Sequence, residues 1–259
     1  MSTAFITTSH TDEMAIITLN RPDKRNAMHG PMILELLAAL KLFADHPSRV
    51  LLIHGNGENF CAGGDIAFMQ KMAEESDDGN YADAKLLADM LYQLYLFPKP
   101  TIVLAHGATL GGGLGLLTAA DIAIAANNAS FGLPEVKIGL APSMISPYVI
   151  AAMGERMAHY YFLTGERFSA EEAHRLGLIH RVVEAEALLS TGMMIAETLL
   201  ENSPLALRSA KELIHAVAKH EMTAELAQKT AKHLAALRVT PEAQEGLHAF
   251  LEKRKPRWI

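Results

Sequence analysis

The stretch Lys99–Gly139 constrains the fold more than any other part of the chain. Its segment Thr101–Ala105 is a short apolar run bounded by turn residues, which predicts a strand buried on both faces. Three glycines, Gly111–Gly113, then lead into the apolar helical segment Leu114–Ala120. A second buried strand is predicted at Asp121–Ala126. This order of strand, glycine turn, helix and strand indicates an α/β fold.

The same stretch contains a candidate site for a developing anion. Glycines have no Cβ, so backbone N–H groups can approach a ligand closely, and a helix N-terminus adds about half a positive charge. Glu135 follows Pro134 among apolar neighbours that can partly desolvate its carboxylate. Together these features indicate an oxyanion site with a general base. A glycine-rich turn beside a surface glutamate is the alternative, and this stretch alone does not decide between the two.

A second stretch repeats the pattern upstream. The apolar run Val50–His54 is followed by Asn56–Ile66, with the letters NGENFCAGGDI, and a helix is predicted to begin at Asp65. Two such units in one chain suit a reaction that needs two backbone donors for one negative charge. The repeat therefore favours the functional interpretation of the glycines.

Five motifs occur in the order NRPDKRNAM, CAGGDI, HGATLGGGLGL, FGLPEVKIGLAP and FLEKRK. In this order they resemble the enoyl-CoA hydratase/isomerase family, also called the crotonase family, over nearly the whole chain. The resemblance implies an α/β fold, a crotonase-like spiral of repeated ββα units with a C-terminal helical region. Residues 1–200 are expected to form the spiral core with the CoA and acyl site. Residues 201–259 are expected to form a helical oligomerisation region, in a homotrimer or a dimer of trimers.

The resemblance also assigns catalytic roles. The N–H groups of Gly64 and Gly112 are expected to bind the thioester oxygen, with Glu135 beside the α and β carbons of the acyl chain. Hydratases of the family that use two glutamates carry the second one at the position of Gly115. This sequence therefore has one catalytic carboxylate.

Coenzyme A enters as part of the substrate, so no separate cofactor is expected. By resemblance, CoA lies along Lys24 and Arg25, with Ala62 and Ile66 flanking the adenine. Lys253 matches a lysine that reaches a CoA phosphate in the same or a neighbouring subunit. A cationic helix C-terminus is an equally good interpretation of Lys253.

The acyl specificity is predicted from two further segments. Gly139–Val149 and Tyr161–Phe168 look most like bacterial methylglutaconyl-CoA hydratases, which favours hydration of a branched, carboxylated enoyl-CoA. Its distal carboxylate calls for a cation, for which Lys71, Lys85 and Lys137 are candidates. The single carboxylate favours a Δ3,Δ2-enoyl-CoA isomerase as the alternative. An inactive CoA-binding scaffold is the alternative from another functional class.

A lid over the acyl pocket is implied for the region between Asp65 and Leu96. Its helical pattern is interrupted at Glu75–Asn80, which is predicted to be a loop. The candidates to line the pocket are Met69, Met72, Leu86 and Met90, although each also fits simple core packing.

Composition excludes several other classes. The formal charge of −6 argues against a nucleic-acid-binding surface. Cys61 is the one cysteine in the sequence, so an internal disulfide is excluded, and the spacing of the twelve histidines does not predict a metal site. No apolar run reaches the roughly 18 residues of a membrane span, and no signal peptide is predicted. A cytoplasmic protein without a membrane partner is expected.

Overall fold

The computed structural model describes residues 4–218 and 220–259. The strands within these ranges are β1 (Ile6–His10), β2 (Met14–Leu19), β3 (Val50–Gly55), β4 (Thr101–Ala105), β5 (Ala108–Leu110), β6 (Ile122–Ala126), β7 (Ser130–Gly132), β8 (Arg167–Ser169) and β9 (Arg181–Val183). The α-helices are α1 (Gly30–Asp45), α2 (Ile66–Met72), α3 (Asp77–Tyr95), α4 (Gly112–Ala119), α5 (Ser146–Met153), α6 (Glu155–Thr164), α7 (Ala170–Arg175), α8 (Leu188–Leu200), α9 (Pro204–Val217), α10 (Ala224–Arg238) and α11 (Pro241–Leu251). Short 3-10 helices cover Pro22–Lys24, Pro134–Ile138 and Ala185–Ala187.

The main sheet has six strands in the order β1-β2-β3-β4-β6-β9. The hairpin β1-β2 is antiparallel, and every later pair in this sheet is parallel. The buried runs predicted from the sequence lie next to each other at its centre, with Leu51 opposite Thr101 and Ile102 opposite Ile122. Their continuous apolar character follows from burial on both faces.

A second, smaller sheet lies beside the first, in the order β5-β7-β8. Two isolated β-bridges continue the strand pairing of this layer: Cys61 pairs with Thr109, and Met28 pairs with Gly64. Four main-sheet strands, β2, β3, β4 and β6, are therefore each followed by a short stretch that pairs in the second layer before the next helix begins. This arrangement confirms the predicted spiral of ββα units.

The two faces of the main sheet have different coverings. The larger core cluster lies on the face that packs against α1, α3 and α4. The opposite face is covered by α8, and a Cβ on Gly192 would lie 2.7 Å from Leu104 Cδ1. Only a glycine permits this close approach of α8 to the central strand β4.

The C-terminal helices are attached to the sheet by polar contacts. Lys211 on α9 lies 2.8 Å from a carboxylate oxygen of Asp121. Arg49 donates to the backbone oxygens of Leu200, Asn202 and Trp258. These contacts join residues before and after the predicted boundary near residue 200, and that boundary stays a prediction.

The sequence after Glu184 predicts four helices from its periodicity and caps, and they are confirmed as α8 to α11. The predicted end of the second of them, near Lys219, lies outside the described residues. The predicted loop over residues 75–80 is wrong in part. Residues 77–80 form the first turn of α3 instead, because Ser76 caps this helix and its hydroxyl accepts a hydrogen bond from Gly79 N at 3.2 Å. Across residues 4–218 and 220–259, no helix has the length and apolar character to cross a membrane.

Candidate functional site

A cavity of about 400 Å3 lies where the glycine turns, the lid helices and the Pro134–Ile138 turn meet. Its walls are mostly apolar. Residues of five segments form them: Met28, His29, Gly30 and Ile33; Ala62, Gly63, Gly64, Ile66, Phe68, Met69, Met72 and Ala73; Asn80, Asp83, Ala84 and Leu87; Gly111 and Gly112; and Pro134, Glu135, Ile138 and Leu140 to Ile145. The three predicted catalytic residues Glu135, Gly64 and Gly112 all belong to this one cavity.

Glu135 lies in the first turn of the 3-10 helix after Pro134. Its Oε1 is 2.9 Å from the position that a Cβ on Gly111 would occupy, so the carboxylate touches the start of α4. Its Oε2 is buried and has no hydrogen-bond partner among the described residues. Burial raises the pKa of the Glu135 carboxyl above its ordinary value. A carboxyl group with these properties suits a general acid and base.

Gly112 is the first residue of α4. Its N–H has no hydrogen-bond partner in the part of the chain that the structure describes, as expected for the first turn of a helix. A Cβ on Gly112 would lie 2.4 Å from Met28 Cε. The glycine therefore makes room for the Met28 side chain beside the cavity.

Gly64 is the second predicted donor, and it pairs with the backbone of Met28 in a β-bridge. Met28 N donates to Gly63 O at 2.7 Å, and Asp65 N donates to Met28 O at 2.8 Å. These two bonds flank the Gly64 N–H, which itself has no partner within residues 4–218 and 220–259. Met28 thus contacts both glycines, and both residues with a free N–H line the same cavity, as an oxyanion site requires.

Other side chains occupy the space that a second glutamate would need at position 115. A Cβ on Gly115 would lie 2.4 Å from Ile145 Cγ2 and 3.4 Å from Leu91 Cδ1. Both neighbours are buried in the core. The sequence shows that this second carboxylate is absent, and the structure shows that apolar side chains fill its place.

The remaining polar side chains of the cavity are His29, Asn80, Asp83 and Ser143. Burial raises the pKa of the Asp83 carboxyl. Burial, together with the charge of Arg21, lowers the pKa of His29. Asn80 donates its amide hydrogens to the backbone oxygens of Glu75 and Ser76.

None of the three candidate cations for a distal carboxylate lines the cavity, and no other lysine or arginine among the described residues does so. Lys85 forms an exposed ion pair with Asp89 instead. Lys71 and Lys137 also lie outside the lining. The prediction that one of these lysines binds a carboxylate inside this cavity is therefore wrong.

The predicted lid residues divide into two groups. Met69 and Met72 line the cavity, as predicted. Leu86 and Met90 do not, because the register of α3 turns Asn80, Asp83, Ala84 and Leu87 towards it, at helical spacing. Met90 is fully buried in the core instead.

The predicted CoA-binding residues lie in three places. Ala62 and Ile66 line the cavity. Lys24 and Arg25 are exposed on the preceding loop, which is held close because Ala62 N donates to Arg25 O at 2.9 Å. Lys253 is exposed after α11 and does not line this subunit's cavity. All five assignments to CoA stay predictions.

Sequence reasoning missed the residue that organises this loop. Asn26 is fully buried and has a positive φ of 54°. Its Oδ1 accepts from Arg21 N at 2.7 Å, and its Nδ2 donates to Asn56 O and Asn59 O at 2.9 and 2.8 Å. The second asparagine of the motif NRPDKRNAM is the sequence feature that could have indicated this role, since asparagine tolerates the left-handed conformation.

No group of three or more histidine, cysteine, aspartate or glutamate side chains within the described ranges is arranged to hold a metal ion. The site thus combines the buried Glu135 carboxylate, the less buried Asp83, two free backbone donors and a mostly apolar cavity. That combination suits stabilisation of an enolate oxygen together with proton transfer at a neighbouring carbon.

Comparisons with known proteins agree with this geometry. A family model for enoyl-CoA hydratase/isomerase matches residues 9–259. The crystal structure of an enoyl-CoA hydratase from Shewanella pealeana superposes with a TM-score of 0.95 at 41% identity and covers 98% of this chain and 96% of its own.

Two curated relatives match over the same extent. A 2,3-dehydroadipyl-CoA hydratase of Escherichia coli is 32% identical over 250 residues, which cover 96% of each chain. A mevalonyl-coenzyme A hydratase of Aspergillus fumigatus is 35% identical over 255 residues, which cover 96% of this chain and 92% of the relative. The chain therefore belongs to the enoyl-CoA hydratase/isomerase family and is a lyase of its enoyl-CoA hydratase type.

Proposed function

We propose that the protein adds water to the double bond of a 2-enoyl-CoA, with Glu135 as its single acid and base. The observation that carries the proposal is the buried Oε2 of Glu135, which has no partner among the described residues and lies in the same cavity as two free backbone donors. A group buried in this way is available to the substrate rather than to the fold.

The reaction follows from these positions. The thioester oxygen accepts hydrogen bonds from Gly64 N and Gly112 N, which draws electrons from the double bond. Glu135 takes a proton from a water molecule while the water oxygen bonds to the β carbon, and the negative charge moves to the thioester oxygen. Glu135 then returns the proton to the α carbon, and the thioester carbonyl is restored. The proton balance closes with one carboxyl group.

The raised pKa of Glu135 suits this double role. A carboxylate that is harder to ionise is a stronger base for water, and its conjugate acid must then release the proton to carbon. Two donors for the thioester oxygen supply the electrostatic part, since removal of one such donor typically costs about 2.7–4 kcal/mol of transition-state stabilisation.

The acyl chain that we propose is branched and carboxylated, such as that of methylglutaconyl-CoA. The segments Gly139–Val149 and Tyr161–Phe168 support this choice because they resemble those of bacterial methylglutaconyl-CoA hydratases. The relatives support it by their names, of which one refers to a dicarboxylic acyl group and one to the branched mevalonyl group.

The charges of the cavity limit where the second carboxylate can lie. Asp83 and Glu135 both line the walls, and no lysine or arginine of the described residues balances them there. A buried substrate carboxylate without a cation would cost several kcal/mol. We therefore expect this carboxylate at the mouth of the cavity, in contact with water.

The test compares three substrates in deuterated water. Methylglutaconyl-CoA carries the carboxylate, 3-methylcrotonyl-CoA has the same branch without it, and a straight 3-enoyl-CoA reports isomerisation. Mass spectrometry should detect a hydroxyacyl product with one deuterium at the α carbon, and methylglutaconyl-CoA should give the highest kcat/KM.

Each other outcome would change the proposal. Preference for 3-methylcrotonyl-CoA would overturn the carboxylated chain and leave hydration in place. A shifted double bond without hydration would identify an isomerase, and binding without any turnover would identify a scaffold. Asp83→Asn is the matched variant, which should lower KM for methylglutaconyl-CoA and leave KM for 3-methylcrotonyl-CoA unchanged.

We also propose self-association through the C-terminal helices, in a trimer or a dimer of trimers. Among the described residues, α10 has no buried side chain at all. Leu234 and Phe250 are 54% and 82% exposed, whereas Leu226 and Leu237 are only partly exposed. An amphipathic helix without a buried face indicates that another surface covers it.

A further inference from the structure

Arg21 and Asp65 form an ion pair directly beside the Gly64 donor. Arg21 Nη2 lies 2.7 Å from Asp65 Oδ2, and the side chains are only 15% and 14% exposed. Arg21 Nη1 also donates to Ala27 O at 2.9 Å. A guanidinium fork that is shared in this way fixes both partners more firmly than a surface ion pair does.

Asp65 connects this pair to the backbone of the oxyanion site. Its Oδ1 accepts from Phe68 N at 3.2 Å and caps α2. Its own N–H donates to Met28 O. Gly63 O and Asp65 N both bond to Met28, so they fix the backbone on the two sides of Gly64, and the Asp65 side chain anchors the second of these two points.

The charge of Asp65 would oppose the reaction if it stood alone. A carboxylate one residue from the donor repels negative charge on the thioester oxygen. Although burial acts in the opposite direction, the hydrogen bonds from Arg21 and Phe68 N hold the pKa of Asp65 below its ordinary value, so the group stays ionised. The guanidinium of Arg21 must then balance this charge.

We infer that Arg21 and Asp65 are positioning residues for the oxyanion site: Asp65 orients the Gly64 N–H, and Arg21 cancels the charge that this orientation introduces. The inference rests on the proposed role of Gly64 in binding a thioester oxygen. It assigns to Arg21 a contribution to the rate of the reaction, in addition to its place in the loop that carries Lys24 and Arg25.

A double-mutant cycle with two readouts tests it. The first readout separates kcat from KM on the best enoyl-CoA. The second is the absorbance maximum of a bound chromophoric enoyl-CoA, para-dimethylaminocinnamoyl-CoA, which moves to longer wavelength when hydrogen bonds polarise its carbonyl group. The second readout needs no turnover, so a parent protein that shifts the chromophore without hydrating substrate would refute the proposed function and leave this inference testable.

Arg21→Met should lower kcat about 10–100-fold, which is less than the loss of a whole donor, and should reduce the absorbance shift with little change in KM. Asp65→Asn keeps a capping oxygen and should be impaired less. The double variant should recover both the shift and at least part of kcat relative to Arg21→Met, because the unbalanced charge is gone.

Two further variants complete the design. Arg21→Lys keeps the charge and should retain most of the absorbance shift even if the fold is loosened. Arg208→Met breaks an exposed ion pair with Glu212 on α9 and should leave kcat unchanged. A parent-like shift and kcat in Arg21→Met, or a double variant whose losses simply multiply, would overturn the inference.

Discussion

Introducing a glutamate at Gly115 would restore the second acid that two-glutamate hydratases carry, and the structure predicts that this change fails. A Cβ at this position would lie 2.4 Å from Ile145 Cγ2 and 3.1 Å from Ile145 Cβ. Carbon atoms prefer separations of about 3.5–4.0 Å, so roughly 1 Å of overlap must be relieved before any carboxylate is accommodated.

The expected cost follows from three contributions. Overpacking of a filled core costs about 1–3 kcal/mol, and an unpaired carboxyl group among apolar side chains adds about 1–3 kcal/mol. Replacing a helical glycine returns about 0.5–1 kcal/mol. Gly115→Glu should therefore lower the free energy of unfolding by about 1–5.5 kcal/mol and should not increase hydration. Gly115→Ala carries the steric contribution without the carboxyl group and should lose less.

Urea denaturation and steady-state hydration measure the two effects. Ile145→Ala provides the complementary space and alone should cost about 2–5 kcal/mol. Combined with Gly115→Glu, it should destabilise the protein by about 1–2 kcal/mol less than the sum of the single changes. The reasoning would be refuted by a Gly115→Glu protein that is as stable as the parent, or by one that hydrates substrate much faster.

Four further predictions concern other parts of the molecule. Glu135→Gln should lower kcat by about 10²–10⁴-fold. Because burial raises the folded-state pKa of Glu135 above its unfolded value, the stability that this residue contributes is present below the unfolded pKa and is lost as pH rises through the folded pKa. The glutamine variant should therefore be more stable than the parent at neutral pH, with the difference vanishing in acid, whereas a constant difference in urea denaturation would contradict this assignment. The thiol of Cys61 is fully buried, and burial raises its pKa to about 12, so iodoacetamide should label it only after unfolding; rapid labelling of the native protein would show a different environment. Asn26→Ala should lower the free energy of unfolding by about 3 kcal/mol or more, because buried groups lose their partners, while Asn26→Asp retains the acceptor and should lose less; an unchanged urea midpoint for the alanine variant would exclude this role. Light scattering should give the mass of a trimer or hexamer at micromolar concentration, and Phe250→Ser should weaken the assembly; a stable monomer of the parent chain would contradict the proposal.

Local sequence determined much of the fold, since each buried strand of the main sheet is a continuous apolar run. Thr101–Ala105 and Val50–His54 could be recognised because burial on both faces removes the alternation of an exposed strand. The motifs added the order of the units and the identity of Glu135, Gly64 and Gly112. These three residues could be named because the roles proposed for them depend on residue type at a fixed place in a motif.

Other features were decided by contacts between distant segments. The residues of α3 that face the cavity depend on the rotation of that helix in the packed core, so Leu87 lines it whereas Leu86 does not. Likewise, no lysine or arginine of the described residues lines the cavity, which follows from where these side chains lie after folding. A count of lysines in the lid region could not show this, because long charged side chains extend towards water wherever they can.

The sequence by itself determined that no second carboxylate stands at position 115, because Gly115 has no side chain. Only the tertiary structure decided that this space is filled, since Ile145, thirty residues later in the chain, occupies it. The same division applies to Gly64 and Gly112, which the sequence identified as glycines. Their N–H groups are available to a substrate because Met28 and the start of α4 hold them in place without using them as donors. Such contacts join residues far apart in the chain, and local patterns do not encode them.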